Sequence, residues 1–241
     1  MMRYLINLCY NGSKFYGYQV QKDKLTVEGE IEKCLSTIFN RNINTIASSR
    51  TDRYVHANNQ YCYFDIDIKV DVNSLKRSIN SMINDYIYIK DISESDIDTR
   101  RDVINKEYIY KINMGEYNPI EVEYVNQYNK SINEEMLKEF INKVSGEHNF
   151  RSFTSDKDNN NYVRDIKISY YIDGDILYLV FNSKGFLRYM IRNIVGLLLD
   201  INDGKKSISD IDLIFESKNR CSLLRCASGC GLYLNKIEFK K

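Results

Sequence analysis

The 241-residue chain carries 34 basic and 33 acidic residues, a formal net charge of +1, which excludes a uniformly basic nucleic-acid coat while leaving room for a local basic groove. Its apolar share of 43% is that of a globular chain with core enough for one large or two modest domains. No stretch is long and apolar enough to span a bilayer, and the opening Met1-Met2-Arg3-Tyr4-Leu5-Ile6-Asn7 lacks the basic-then-apolar layout of a leader, so the chain is expected in the cytoplasm.

In chain order, residues 4–9 alternate as a strand and end in the turn signal Tyr10-Asn11-Gly12-Ser13. A helix follows, with Thr26 as N-cap and Val27, Ile31, Cys34, Leu35 and Ile38 on one face. Strands are expected at 44–47 and 60–68, a helix at 72–82 carrying Leu75, Ile79 and Met82, and strands at 86–92 and 107–114. The single proline, in Glu116-Tyr117-Asn118-Pro119, marks a break. Beyond it come a helix at 133–144 with Met136, Phe140 and Val144 aligned, strands at 163–172 and 176–181, an apolar helix at 186–201 and a closing strand at 231–239. The element order predicts an α+β fold of two similar halves, 1–114 and 115–241. Each would have an antiparallel sheet and two helices; the sheets would join edge to edge with helices on one side and a cleft between the halves.

Six cysteines lie at 9, 34, 62, 221, 226 and 230. Those in apolar runs act as small hydrophobes. The closer trio, Cys221, Cys226 and Cys230, has neither a Cys-x-x-Cys pair nor a nearby histidine, so no metal is expected. Clustered carboxylates of the kind a metal-dependent nuclease uses are absent from the sequence as well.

The segment Ser48-Ser49-Arg50-Thr51-Asp52-Arg53-Tyr54-Val55-His56-Ala57-Asn58-Asn59-Gln60 sets a carboxylate between two arginines on a loop that feeds a strand. Arg-Thr-Asp alone is too short to mean more than a loop carboxylate tied to an arginine. With Val55-His56-Ala57 added, it resembles the signature of the tRNA pseudouridine synthase A family, Arg-Thr-Asp-x-Gly-Val-His-Ala. The resemblance continues in Tyr10-Asn11-Gly12-Ser13-Lys14-Phe15-Tyr16-Gly17-Tyr18-Gln19-Val20-Gln21, in Thr26-Val27-Glu28, and in Arg100 with Lys106-Glu107-Tyr108-Ile109-Tyr110. It returns in Gly146-Glu147-His148-Asn149-Phe150-Arg151-Ser152-Phe153, in Gly185-Phe186-Leu187-Arg188-Tyr189-Met190-Ile191-Arg192-Asn193-Ile194-Val195-Gly196, and in Gly231-Leu232-Tyr233-Leu234.

This resemblance implies an isomerase that turns uridine into pseudouridine in the anticodon stem-loop of tRNA, at positions 38, 39 and 40, acting as a homodimer and without cofactor or metal. Asp52 would be the nucleophile, attacking C6 of the base or C1′ of the sugar. Arg192 would be its counter-ion, keeping the carboxylate ionised. The apolar run 190–199 agrees, since an unpaired guanidinium there would be costly. Tyr108, which shares a strand face with Tyr110, would stack on the flipped base. Arg50, Arg53, His56, Gln60 and Arg188 join Tyr108 as substrate-binding candidates, His56 with no chemical step assigned. Lys14, Arg41 and Lys184 are further candidates for phosphate contacts. The chain departs from the pattern at Ser49 and Tyr54, where the family carries glycine, at Tyr18 for tryptophan, and at Cys226-Ala227-Ser228-Gly229 for Thr-Ala-Pro-Ala. The two lost glycines are the support for the competing expectation, a non-catalytic RNA-binding or RNA-chaperone protein on the same scaffold.

Overall fold

A computed structural model describes residues 1–156 and 160–240. Its strands and helices, in chain order, are β1 (Met2–Tyr10), α1 (Val27–Phe39), β2 (Ile46–Ala47), β3 (His56–Ile66), α2 (Val72–Met82), β4 (Ile87–Glu94), β5 (Val103–Asn113), β6 (Asn126–Gln127), α3 (Glu134–Val144), β7 (Gly146–Asn149), β8 (Val163–Asp173), β9 (Ile176–Ser183), α4 (Met190–Asn202), α5 (Asp210–Ser217) and β10 (Leu232–Phe239). The chain forms two compact units: residues 1–106 together with 233–241, and residues 107–232. The class is mixed α+β.

In the first unit the strand order is β4-β1-β3-β10, with β2 on β3. β1 is the central strand because its alternate residues Tyr4, Ile6, Leu8 and Tyr10 are all apolar and buried, which fixes one face and therefore the register. It runs antiparallel to β3, with Tyr4 opposite Phe64, and antiparallel to β4. The Tyr4 and Phe64 rings stack at 5.5 Å. α1 begins where Thr26 accepts the Gly29 N–H, buries Val27, Ile31, Cys34 and Leu35, and ends at Asn40 in the left-handed region. Asp71 caps α2 through the Asn73 and Ser74 N–H groups, and α2 packs on β4 through Leu75 and Ile79. Met82, expected on that buried face, is about half exposed.

β10 corrects the expectation of purely antiparallel pairing. It lies parallel to β3, with Tyr233 opposite His56 and Leu234 opposite Ala57. β6 is likewise parallel to β5, with Ile112 opposite Asn126.

In the second unit the order is β5-β9-β8-β7. β8 and β9 form a regular antiparallel pair from Lys167 opposite Asn182 to Asp173 opposite Ile176. The buried face of α3 is Leu137, Phe140, Ile141 and Val144, turned slightly from the expected one, with Met136 at its margin. α4 is buried almost all round, but it starts at Met190 rather than 186. Tyr189 has φ 61°, a left-handed conformation that no helix interior accepts from an L-residue. Among the described residues this unit holds three α-helices rather than two, because the short α5 buries only Ile211 and Ile214 and left too weak a period to be read. Phe150, Phe153, Phe215 and the His148 ring form an aromatic cluster, His148 stacking on Phe215 at 4.5 Å. The Gly-x-His-x-Phe-x-x-Phe motif therefore builds core in this unit.

Candidate active site

The Asp52 loop is fixed from several sides by groups of its own unit. The Tyr10 hydroxyl bonds the Thr51 Oγ1 at 2.7 Å, and the Tyr18 N–H donates to the Thr51 carbonyl at 3.0 Å. The Gly12 N–H donates to His56 Nδ1 at 3.2 Å, so that nitrogen is unprotonated. Gly12 has to be glycine: a methyl there would lie 1.9 Å from the Val55 carbonyl oxygen. The N-terminal Tyr-Asn-Gly motif is thus the cradle of the Asp52 loop. On the other flank Gln60 is fully buried; its Oε1 accepts the Ser49 N–H and its Nε2 donates to the Ser49 carbonyl at 2.6 Å. His56 is also buried, its ring stacked on Tyr233 at 4.6 Å.

The stretch leading into the loop is clamped by three side chains that the sequence reading gave no such role. Thr99 donates to the Ile46 carbonyl at 2.8 Å, Arg100 Nε to the Ala47 carbonyl at 3.4 Å, and Lys106 Nζ to the Ser48 carbonyl at 2.6 Å. Burial, helped by the nearby Arg100, pushes the Lys106 ammonium down to about 8. The unfolded chain keeps this proton up to the ordinary lysine value of 10.5, so between pH 8 and that value the unfolded state binds more protons. This group's contribution to stability therefore rises with pH across that window, at up to roughly 1.4 kcal/mol per pH unit. Thermal unfolding should show wild type gaining on Lys106→Met as the pH is raised through the window. Parallel curves for the two proteins would dispose of the assignment.

Asp52 is half-buried between exposed Arg50 and Arg53. Its carbonyl accepts the Val55 N–H at 3.2 Å, closing a four-residue turn whose third residue, Tyr54, has φ 69°. Arg50 donates to Gln19 Oε1 at 3.1 Å.

In the second unit Tyr108 is buried edge-on against Phe186, centroids 5.3 Å apart, and Tyr110 donates its hydroxyl to the Ser228 carbonyl at 2.7 Å. Arg192 Nε donates to the Ala227 carbonyl at 2.8 Å, and the Ala227 N–H returns a bond to the Arg192 carbonyl at 2.9 Å. The Arg188 and Arg192 guanidiniums both lie over the Tyr189 ring, at 5.0 and 5.1 Å. One residue further, buried Asn193 holds the Phe153 carbonyl and takes a bond from Arg220. At Gly196 a methyl would meet the Arg225 carbonyl oxygen at 2.3 Å, so glycine is what admits the 225–227 segment against α4. The Arg-Asn-x-x-Gly string thus keeps one helix face docked on that segment. Among the described residues, no group of three or more His, Cys, Asp or Glu is placed to hold a metal, and no helix is long and apolar enough to cross a membrane.

Residues 140–240 match the family model described as tRNA pseudouridine synthase. The chain is 36% identical to tRNA pseudouridine synthase A of Malacoplasma penetrans (strain HF-2), over 99% of this chain and 100% of that protein. It is 34% identical to that of Mycoplasma genitalium over the whole of both chains, and 35% identical to that of Geobacillus sp. (strain WCH70) over 96% of each. The chain belongs to the tRNA pseudouridine synthase A family.

The turn at Asp52 gives the family's glycine a physical reason. Positive φ at the third position of such a turn is the conformation that favours glycine, and here Tyr54 occupies it. At the other family glycine Ser49 is buried, its backbone bonded in both directions by the Gln60 amide.

Proposed function

We propose that the chain isomerises uridine to pseudouridine in the anticodon stem-loop of tRNA, at positions 38, 39 and 40, with Asp52 as nucleophile. Family membership makes it a tRNA pseudouridine synthase, an isomerase; the residue roles are our reading. Asp52 comes from the first unit, and Tyr108 and Arg192 come from the second. The observation that carries the reading is the fixed loop: at least five side chains or backbone groups hold the residues on either side of Asp52, while Asp52 itself stays accessible.

In the reaction the Asp52 carboxylate attacks C6 of the base or C1′ of the ribose. The bond between N1 and C1′ breaks, the base turns, and C5 bonds to C1′. C5 then loses its proton, N1 gains one, and the carboxylate is released, so no atom is gained or lost. Arg192 keeps the carboxylate ionised and oriented. Tyr108 stacks on the flipped base. Arg50, Arg53 and Arg188 meet the RNA directly, and His56 and Gln60 act on it through the loop they hold. The working form is a homodimer, so that one tRNA spans two copies.

Pseudouridine mapping on tRNA from cells lacking this protein, with and without its re-expression, tests the reading. Unmodified uridines at the anticodon stem-loop sites should appear on deletion and be repaired by the wild-type chain. Unchanged modification in the deletion would end it.

A further inference from the structure

Beside Asp52 the surface carries a group of side chains of which the proposed function uses only Arg53, as an RNA contact. Tyr54 and Tyr16 are 39% and 41% exposed, so part of each ring is open to a ligand. The Arg53 guanidinium lies over both rings, 4.6 Å from the Tyr54 centroid and 4.5 Å from that of Tyr16. Lys24 adds a second cation over Tyr16 at 4.7 Å. Among the described residues neither Arg53 nor Lys24 is paired with a carboxylate. The result is two accessible aromatic faces and two cations outside any ion pair among the described residues.

Tyr54 holds its place against its backbone. At φ 69° it sits where a side chain with a Cβ is disfavoured and where the family has glycine. The turn bond from the Val55 N–H to the Asp52 carbonyl holds this backbone, and the side chain it projects meets Arg53. An exposed cation–π contact is weak, so an outside ligand is the more effective reason for an aromatic ring at this point.

We propose that Tyr54, with Tyr16 and Arg53, forms a stacking step for an unpaired nucleotide next to the target uridine, its base on the aromatic faces and its phosphate on Arg53 and Lys24. The chemistry fits such an occupant: every base has a face that stacks on an aromatic ring, and every nucleotide brings the negative charge that the two cations lack. Tyr54 follows Asp52 by two residues, which puts the step beside the target and not at a distant part of the tRNA. The inference rests on the proposed function for the identity of the RNA, and it assigns this chain a specificity-determining residue at a position where its relatives' pattern has none.

Equilibrium binding of a fluorescent anticodon stem-loop tests it, in three RNA forms: intact, and with an abasic residue 5′ or 3′ of the target uridine. Wild type should lose about tenfold in affinity for one of the two abasic forms. Tyr54→Gly should bind the intact RNA about tenfold more weakly and no longer distinguish that abasic form, while its unfolding temperature stays level or rises because the strained backbone is relieved. Tyr54→Phe should bind as wild type does. The proposal is overturned if Tyr54→Gly binds like wild type, if it still discriminates the abasic form, or if Tyr54→Phe loses as much as Tyr54→Gly. Because the readout is binding, a protein that follows the expected pattern yet forms no pseudouridine would sink the proposed activity alone.

Discussion

Asp52→Asn is expected to leave a folded protein that binds tRNA and forms pseudouridine at least roughly 10⁴-fold more slowly, the scale seen when a covalent nucleophile is removed. The substitution changes one oxygen for a nitrogen of nearly the same size. The turn it sits in is closed by the Asp52 backbone carbonyl, which Asn also has. The loop is held by Tyr10, Gly12, Tyr18 and Gln60 acting on neighbouring residues, and all of these contacts remain in the variant. What Asn lacks is the nucleophilic charge. Single-turnover release of tritium from C5-labelled uridine in tRNA reads the chemical step directly. A variant retaining more than about one part in a hundred of the wild-type rate would remove Asp52 from the nucleophile's role.

Arg192→Ala is expected to lower kcat by about 10²- to 10³-fold while changing tRNA affinity by less than about threefold, because the reading gives Arg192 to the reacting carboxylate and not to the RNA backbone. Arg192→Lys should fare little better. A lysine cannot keep a bond in the plane of the Ala227 carbonyl while laying a flat cation over Tyr189. Loss of the Ala227 contact removes one hydrogen bond, about 1 kcal/mol, so the fold should survive and the unfolding temperature should report it. Equal losses in kcat and in affinity would transfer Arg192 to the RNA-binding surface.

The parts of this fold that were legible in the sequence are those decided over a few residues. The alternation in β1, the Thr26 cap of α1 and the period that ends α2 at Met82 are local signals, and the structure carries each of them. Pairings set by distant residues were not legible. The parallel seat of β10 on β3 joins segments about 180 residues apart, and no local pattern encodes its direction. The start of α4 depends on one dihedral angle at Tyr189, which an apolar run conceals.

The candidate site divides in the same way. Asp52, Tyr108 and Arg192 stood out through motifs. Lys106 did not, although a signal was present: it shares strand parity with Tyr108, Tyr110 and Ile112, and a lysine in step with buried residues has to find a partner inside. Gly12 and Gln60 were visible as motif letters, but their work, making room for Val55 and bonding Ser49 in both directions, exists only once the chain is folded.

The position of β10 bears on the order in which the protein can be made. A ribosome delivers the chain from its beginning, so β1, β3 and the Asp52 loop emerge early, whereas Tyr233 and Leu234, which flank His56 and Ala57, arrive after all of residues 107–232 have been added. Throughout that interval the β3 margin beside His56 is an open edge, able to pair with whatever strand it meets. Nascent chains halted before residue 232 should accordingly be the species most in need of a chaperone, with the His56 margin of β3 the part of the early-made sheet that is completed last.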